Sequence, residues 1–325
     1  MFWGTGAASA PIDNQEEDGM TTTKVLLAGG TGMLGTHIAR HLLDGDARLR
    51  LLVRDAAPRD ASKRALLDGL AGRGAEVVAG AMDDSQALLD ATRDIDVVIS
   101  ALQGGREVIV DAQVTLARAA AANGARRFLP SDFALDIFKA TPGEHAFFDL
   151  RREADEQIAA LDLEQVNILN GAFLDGFVSS NGAVDYDDDA GVVTFWGNGD
   201  ERFEGTSIDD TARIVARVAL DPNVPAGRFA VAGQVAGQVL SFGDMIAAVE
   251  RRAGRRYERR SRGGADELRA WMAEQRRQGE IVAATMGAYQ LYMITGQTSL
   301  DDLQNDRYPD IRFHTFEEVL ASVAN

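Results

Sequence analysis

Residues 24–46 read KVLLAGGTGMLGTHIARHLLDGD. A short apolar run, Lys24 to Ala28, ends at once in three glycines spaced GxxGxxG (Gly29, Gly32, Gly35), after which Ile38, Leu42 and Leu43 recur at helical spacing. The spacing predicts strand, glycine turn and helix. Glycine suits such a turn because it permits the tight bend and lets backbone N–H groups approach a pyrophosphate at the positive end of the helix. Thr31, Met33 and Leu34 complete the segment that would meet those phosphates.

Working outward, further apolar runs fall at residues 49–54, 75–80, 96–102, 126–131 and 165–170. Helical stretches separate them, among them 61–70, 110–124 and 150–161. Continuous apolar strands alternating with helices predict an α/β fold, a Rossmann-type doubly wound parallel sheet covered on both faces. After residue 172 the segments become shorter and more irregular: an acidic turn at 186–191, a strand-like VVTFWG, a helix at 209–220, a strand at 227–233 and mostly helix thereafter. The expected organisation is a disordered leader over 1–22, a dinucleotide-binding domain over 23–172, and a smaller, mainly helical C-terminal substrate lobe over 173–325 that returns a strand or two to the main sheet.

Composition narrows the function classes. The formal charge of −17 opposes a phosphate backbone, so nucleic acid is not an expected partner. The basic run at residues 250–262 reads as a solvated surface. No stretch approaches the ~20 apolar residues of a membrane span, the 22-residue leader lacks the features of a signal peptide, and a cytoplasmic location is expected. With no cysteine, disulfides and thiolate chemistry are excluded. Only three of the 33 basic residues are lysines, Lys24, Lys63 and Lys139.

The end of the second strand chooses the cofactor, because it faces the adenosine ribose. A carboxylate there binds the 2′-hydroxyl, whereas an arginine favours a 2′-phosphate. The strand ends in Val53-Arg54, with Asp55 one place later and Lys63 in the next helix, so NADPH is the expected cofactor. Ala101, Leu102 and Gln103 after the fourth strand, and Ser131 after the fifth, fall where open α/β sheets hold their ligands.

With GGTGMLG and LLVR, the runs QVTLARAAAANGARRFLPSDF (113–133), GNGDERFEGTSIDDTARIVARVALDP (197–222) and DRYPDIRFHTFEEVL (306–320) occur in the order of a known family. The chain resembles the isoflavone reductase-like, NmrA-like group of atypical short-chain dehydrogenases, which includes phenylcoumaran benzylic ether and pinoresinol–lariciresinol reductases. The resemblance implies the Rossmann fold, NADPH and a flat, apolar, aromatic substrate. It also implies a lysine in a Phe-Glu-Val-Lys type of segment, matched here by Phe148-Asp149-Leu150-Arg151.

Arg151 therefore stands in the lysine slot. A guanidinium with a pKa above ~12 cannot shuttle a proton near neutrality, but it can stabilise a developing oxyanion. His145, with an ordinary pKa near ~6.5, is the first candidate for moving the proton, and Lys139 is a second. Phe133, Phe173, Phe177, Met286 and Tyr289 are expected to line the substrate pocket, with Trp271 as a further candidate. No metal is expected: His37 and His41 are four apart on one helix, but no third ligand lies near them in sequence.

Two functions follow. The first is an NADPH-dependent reductase of an aromatic or conjugated small molecule, with a homodimer allowed as its assembly. The second is a non-catalytic NADP(H)-sensing regulatory binding protein, in which losing the lysine costs nothing.

Overall fold

The computed structural model describes residues 22–45, 47–180, 182–233 and 240–322. The leader expected over 1–22 lies outside the described residues, Thr22 apart. Six strands alternate with helices along the first half: β1 (Lys24–Ala28), α1 (Met33–Asp44), β2 (Arg48–Val53), α2 (Ala61–Gly72), β3 (Glu76–Ala79), α3 (Ser85–Ala91), β4 (Val97–Ser100), α4 (Gln113–Ala122), β5 (Arg127–Leu129), α5 (Ala146–Ile158) and β6 (Glu164–Leu169). A π-helical turn, Glu107–Ala112, leads into α4. The central strands β1, β4 and β5 are buried along nearly all their length because helices cover both faces of the sheet, whereas β3, at its edge, has no fully buried residue.

The second half contributes β7 (Ala172–Phe173), β8 (Val184–Asp187), β9 (Val192–Phe195), β10 (Gly205–Thr206), α6 (Ile208–Leu220), β11 (Gly227–Ala230), α7 (Phe242–Ala253), β12 (Glu258–Ser261), α8 (Ala265–Arg277), α9 (Ile281–Thr295) and α10 (Phe316–Ser322). β11 pairs in parallel with β6, giving a seven-stranded parallel sheet of order β11-β6-β5-β4-β1-β2-β3. Residue 172, where the expected lobe boundary lies, is in β7, which pairs with β10. β8 and β9 form an antiparallel hairpin around the acidic turn, and β12 joins β9 in parallel.

The chain leaves β1 between β2 on one side and β4 on the other, so the order of connection reverses there. Such a reversal opens a crevice at the carboxyl ends of the strands, where ligands of this architecture lie. The larger cleft of the molecule is at that end. A smaller, polar concavity of about 590 Å³ lies at the opposite, amino end of β1 and β2, lined by Lys24, Arg48, Arg50, Arg73 and Glu76.

Two features fix α6 against this sheet. Its apolar face, including Ile208, Ala212, Val215 and Val218, is buried in the same core as Ile38 and Leu42 of α1, at about 1.5–3 kcal/mol for each large side chain. At its far end the fully buried Arg127 donates to the carbonyls of Val218, Asp221 and Val224 at 2.7–2.8 Å and to Glu164 at 2.9 Å. A buried guanidinium is tolerable only when its donors are satisfied in this way.

The helix expected over 150–161 begins earlier, at Ala146, because His145 caps it: Nδ1 accepts the Phe148 N–H at 3.1 Å. Histidine is not a preferred capping residue, so sequence offered no start signal there.

Candidate functional site

The glycine turn sits at the head of the cleft. Gly29 has φ +85°, and a Cβ on it would stand 2.3 Å from the Ala101 carbonyl oxygen. A Cβ on Gly35 would meet the Gly29 carbonyl at 2.1 Å. The backbone is therefore folded so closely that only hydrogen fits at either place. Gly32 precedes α1 in extended conformation, and no side chain caps the helix, leaving its first N–H groups for an anion. No acidic residue stands in the first turn to oppose one. The donor set and the close-packed turn fit a pyrophosphate.

The cleft encloses about 690 Å³. Gly29, Thr31, Gly32, Met33 and Leu34 from the turn line it, together with Lys63, Ala101, Leu102, Gln103 and Ser131. Gly35 lies behind this lining, packed on Gly29. Arg54 is exposed and makes no hydrogen bond or ion pair among the described residues, but it does not line the cleft itself. Asp55 is occupied by its own loop, accepting the Ala57 N–H at 2.9 Å.

Further in, the walls turn apolar. Phe133, Phe147, Phe148, Phe173, Phe177, Met286, Tyr289 and Met293 surround Arg151 and His145. All five expected substrate-lining residues are thus gathered here. Trp271 lies elsewhere, against Trp196 in the core of the second half. Gln290 and Ala172 were not singled out from sequence, and Phe147 and Phe148 entered only as part of the segment that ends at Arg151, not as cleft walls.

Arg151 is anchored through Nε to the Ser131 carbonyl at 2.7 Å and through Nη1 to the Phe147 carbonyl at 3.1 Å. Ser131 in turn donates its hydroxyl to the Leu102 carbonyl at 2.7 Å and its N–H to Gln113 Oε1 of α4 at 3.0 Å. No carboxylate pairs directly with Arg151 among the described residues, and Nη2 has no hydrogen-bond partner there. Burial pulls its pKa down, offset by the charge of Asp132, yet a guanidinium stays protonated. The result is a fixed cation in an apolar chamber.

Two buried carboxyls that sequence did not single out stand within electrostatic reach. Asp132 accepts from Asn167 at 2.7 Å and Asp155 from Gln165 at 3.0 Å. Each keeps a second oxygen buried without a protein partner. Burial pushes both acids up, and the negative charge of Asp132 pushes Asp155 further, so one of the two holds a proton through neutral pH.

His145 is also buried, its ring stacked 3.7 Å from Phe148. Burial and the Arg151 charge bring its pKa down to about 3. Held that far below its ordinary range, the imidazole is in its neutral form, which has no imidazolium proton to pass. Because Nδ1 accepts a backbone N–H, the proton sits on Nε2, which is buried without a partner. Lys139 is likewise taken: it reaches the Ser299 carbonyl at 2.5 Å and Asp301 at 2.6 Å, outside the cleft lining.

His145 carries a stability consequence. Unfolded, it binds a proton near pH ~6.5; folded, only near pH 3. Its contribution is complete above the unfolded value and is lost as pH falls below it, at a slope of up to about 1.4 kcal/mol per pH unit. His145→Asn, which keeps a capping acceptor, is expected to flatten the acid limb of Tm against pH. Identical limbs for parent and variant would contradict a neutral buried ring.

The match to a family model described as "NmrA-like family" extends over residues 21–291. The chain belongs to the NmrA-like family. Within it, this NmrA-like protein is 28% identical over 316 residues to a bifunctional pinoresinol-lariciresinol reductase of Linum album, covering 92% of this chain and 93% of that one. It is 30% identical over 209 residues to pinoresinol reductase 2 of Arabidopsis thaliana, covering 62% of this chain and 65% of that one. Among solved structures it is similar to one described as AtPrR2 with NADP+ and (+)pinoresinol, with TM-score 0.79, 25% identity and coverage of 92% and 98%. An isoflavone reductase structure shares the fold at TM-score 0.80 and 21% identity, covering 93% and 100%.

Proposed function

We propose that this NmrA-like protein is an NADPH-dependent reductase of an aromatic or conjugated small molecule. The observation that carries the reading is one continuous cleft: an uncapped, glycine-lined helix start at one end and a fixed cation in an aromatic chamber at the other. The similarity to a pinoresinol-lariciresinol reductase and to a structure holding NADP+ and (+)pinoresinol supports it.

In this reading the turn between Gly29 and Gly35 holds the pyrophosphate, with Arg54 and Lys63 toward the adenosine 2′-phosphate. Bound there, NADPH supplies a hydride. Arg151 stabilises negative charge developing on the acceptor oxygen, while the neutral, buried His145 caps α5 and so positions the helix that carries Arg151. Neither group gives up a proton. Tyr289 is the phenol lining the chamber; burial raises its pKa while the Arg151 charge acts the other way, so its O–H survives to neutral pH and can pass to a more basic alkoxide. The protein then works in the cytoplasm, on a substrate that need not be charged.

The test is NADPH oxidation by purified protein across aromatic ketones, enones, quinones and benzylic ethers. Tyr289→Phe is expected to slow turnover by about 100-fold while leaving NADPH affinity within twofold, since acid catalysis contributes about 10²–10⁴. Tight NADPH binding with no oxidation by any acceptor would overturn the reductase reading. It would favour an NADP(H)-sensing role instead, a reading that the arginine in the lysine slot supports; there, NADP+ and NADPH must differ in affinity or in the assembly they induce.

A further inference from the structure

Two acids that the reductase reading leaves unused are sealed beside the chamber's cation. Asp132 directly follows the Ser131 whose carbonyl holds Arg151, and it is wholly buried. Asp155 lies one helical turn beyond Arg151 on α5 and is 4% exposed. Neither lines the cleft. Acids are almost never buried so fully without a proton or a compensating charge.

The donors around them do not suffice for two anions. Gln165 and Asn167, two apart on β6 and so on one face of the sheet, give each acid one N–H. Asn167 Nδ2 reaches Asp132 Oδ2 at 2.7 Å, and Gln165 Nε2 reaches Asp155 Oδ1 at 3.0 Å. Gln165 Nε2 also approaches Asn167 Oδ1 at 3.3 Å, tying the two amides together. Asp132 Oδ1 and Asp155 Oδ2 are left buried without a donor.

The two carboxyls stand within hydrogen-bond reach of each other, and Arg151 is the cation whose charge acts on both. Arg152, next on the helix, is engaged by Asp149 and the Ala140 carbonyl. Around Arg151 itself, His145 is neutral and Tyr289 keeps its proton. Two negative charges on the acids would face each other across missing donors, whereas two neutral acids would leave the guanidinium without a counter-charge. One proton between them avoids both: it supplies the O–H that joins the acids and leaves one negative charge against one positive.

We propose that Asp132 and Asp155 are positioning residues that share one proton and together form the singly charged counterion of Arg151, so that the chamber is neutral overall and takes an uncharged acceptor in preference to an anion. An unbalanced guanidinium would draw an aromatic carboxylate and hold it. With its charge balanced, Arg151 acts chiefly on negative charge that develops within hydrogen-bond reach during the reaction. This consequence for substrate choice rests on the reductase reading, while the charge of the pair does not.

The experiment uses the full-length protein and two planar probes of one shape, 2-naphthoate and the uncharged 2-naphthamide. At neutral pH the infrared spectrum of the parent is expected to show the carbonyl stretch of a buried protonated carboxyl, shifted in D2O. Asp155→Asn, which replaces an acid by an amide of the same shape, removes that band and leaves naphthoate affinity by calorimetry within about twofold. Asp132→Asn combined with Asp155→Asn removes the negative charge, so naphthoate is expected to bind about 10-fold or more tighter, with naphthamide little affected. No such band in the parent overturns the proposal. So does a gain in naphthoate affinity as large in Asp155→Asn as in the double variant, or no gain in the double variant. Should the double variant not fold, the band and the response of Asp155→Asn decide alone. Failure of NADPH oxidation with every acceptor would remove the reductase reading and leave these readouts standing.

Discussion

Gly29→Ala is expected to lower NADPH affinity by about 100-fold or more, and Gly35→Ala by a similar amount. At Gly29 the new methyl would stand 2.3 Å from a backbone carbonyl oxygen, in a residue whose φ of +85° already disfavours any side chain. Such a conformation costs about 1–3 kcal/mol before the clash is counted, and about 2.7 kcal/mol corresponds to the 100-fold loss. At Gly35 the obstacle is the Gly29 carbonyl itself, so relief there displaces the very N–H groups that would meet the pyrophosphate. Gly32→Ala is the internal comparison: its φ is −82° and its Cβ would approach Gly29 O only to 3.2 Å, so a loss of about 10-fold or less is expected from this tight but relievable contact. Fluorescence titration with NADPH, with Tm measured in parallel, separates lost binding from lost folding. Equal, small effects at all three glycines would remove the argument that this turn is shaped around a ligand.

The second large effect is expected at Arg151. Arg151→Met keeps the apolar volume and removes the charge, and turnover should fall by about 10²–10³ with NADPH affinity little changed, as when a donor to a developing oxyanion is deleted. Arg151→Lys is more informative. The family resemblance makes lysine the residue of that slot, and burial lowers the pKa of a lysine into a range that can be titrated. The lysine variant should therefore acquire an ionisation in kcat against pH that the parent lacks. It pays in stability, because the Ser131 carbonyl loses the Nε donor at 2.7 Å, at about 1–3 kcal/mol for a buried acceptor left unmade. Full activity in Arg151→Met would show that the guanidinium takes no part in the chemistry.

The parallel sheet, its glycine turn and the succession of strands and helices along the chain were legible because they rest on local signals: unbroken apolar runs, 3.6-residue periodicity and glycines placed between them. β11 was visible as a strand, and it pairs in parallel with β6. The site was legible where residues lie at strand ends, as with Ala101, Leu102, Gln103 and Ser131, since topology fixes where those ends point. It was not legible where chemistry depends on three-dimensional surroundings. Nothing in the run GEHAFFDLR tells that the histidine is sealed beneath Phe148 and Arg151 and so loses its proton. Nor does the spacing of Lys139 reveal that Asp301, 162 positions later, claims it. Asp132 and Asp155 face each other only once β5 and α5 are packed, and Asp209 reaches His37 and His41 only through the pairing of α1 with α6.

The double anchorage of α6 bears on how a ligand gets in. Arg127 rivets one end of that helix to the sheet through three carbonyls, and Asp209 fastens the other end to α1. Any movement of α6 away from the sheet and α1 would have to break both fastenings at once. At the edge of α9 the half-exposed Met286 overhangs the chamber, so the breadth of molecule accommodated beside it depends on how far one unbranched thioether can fold aside.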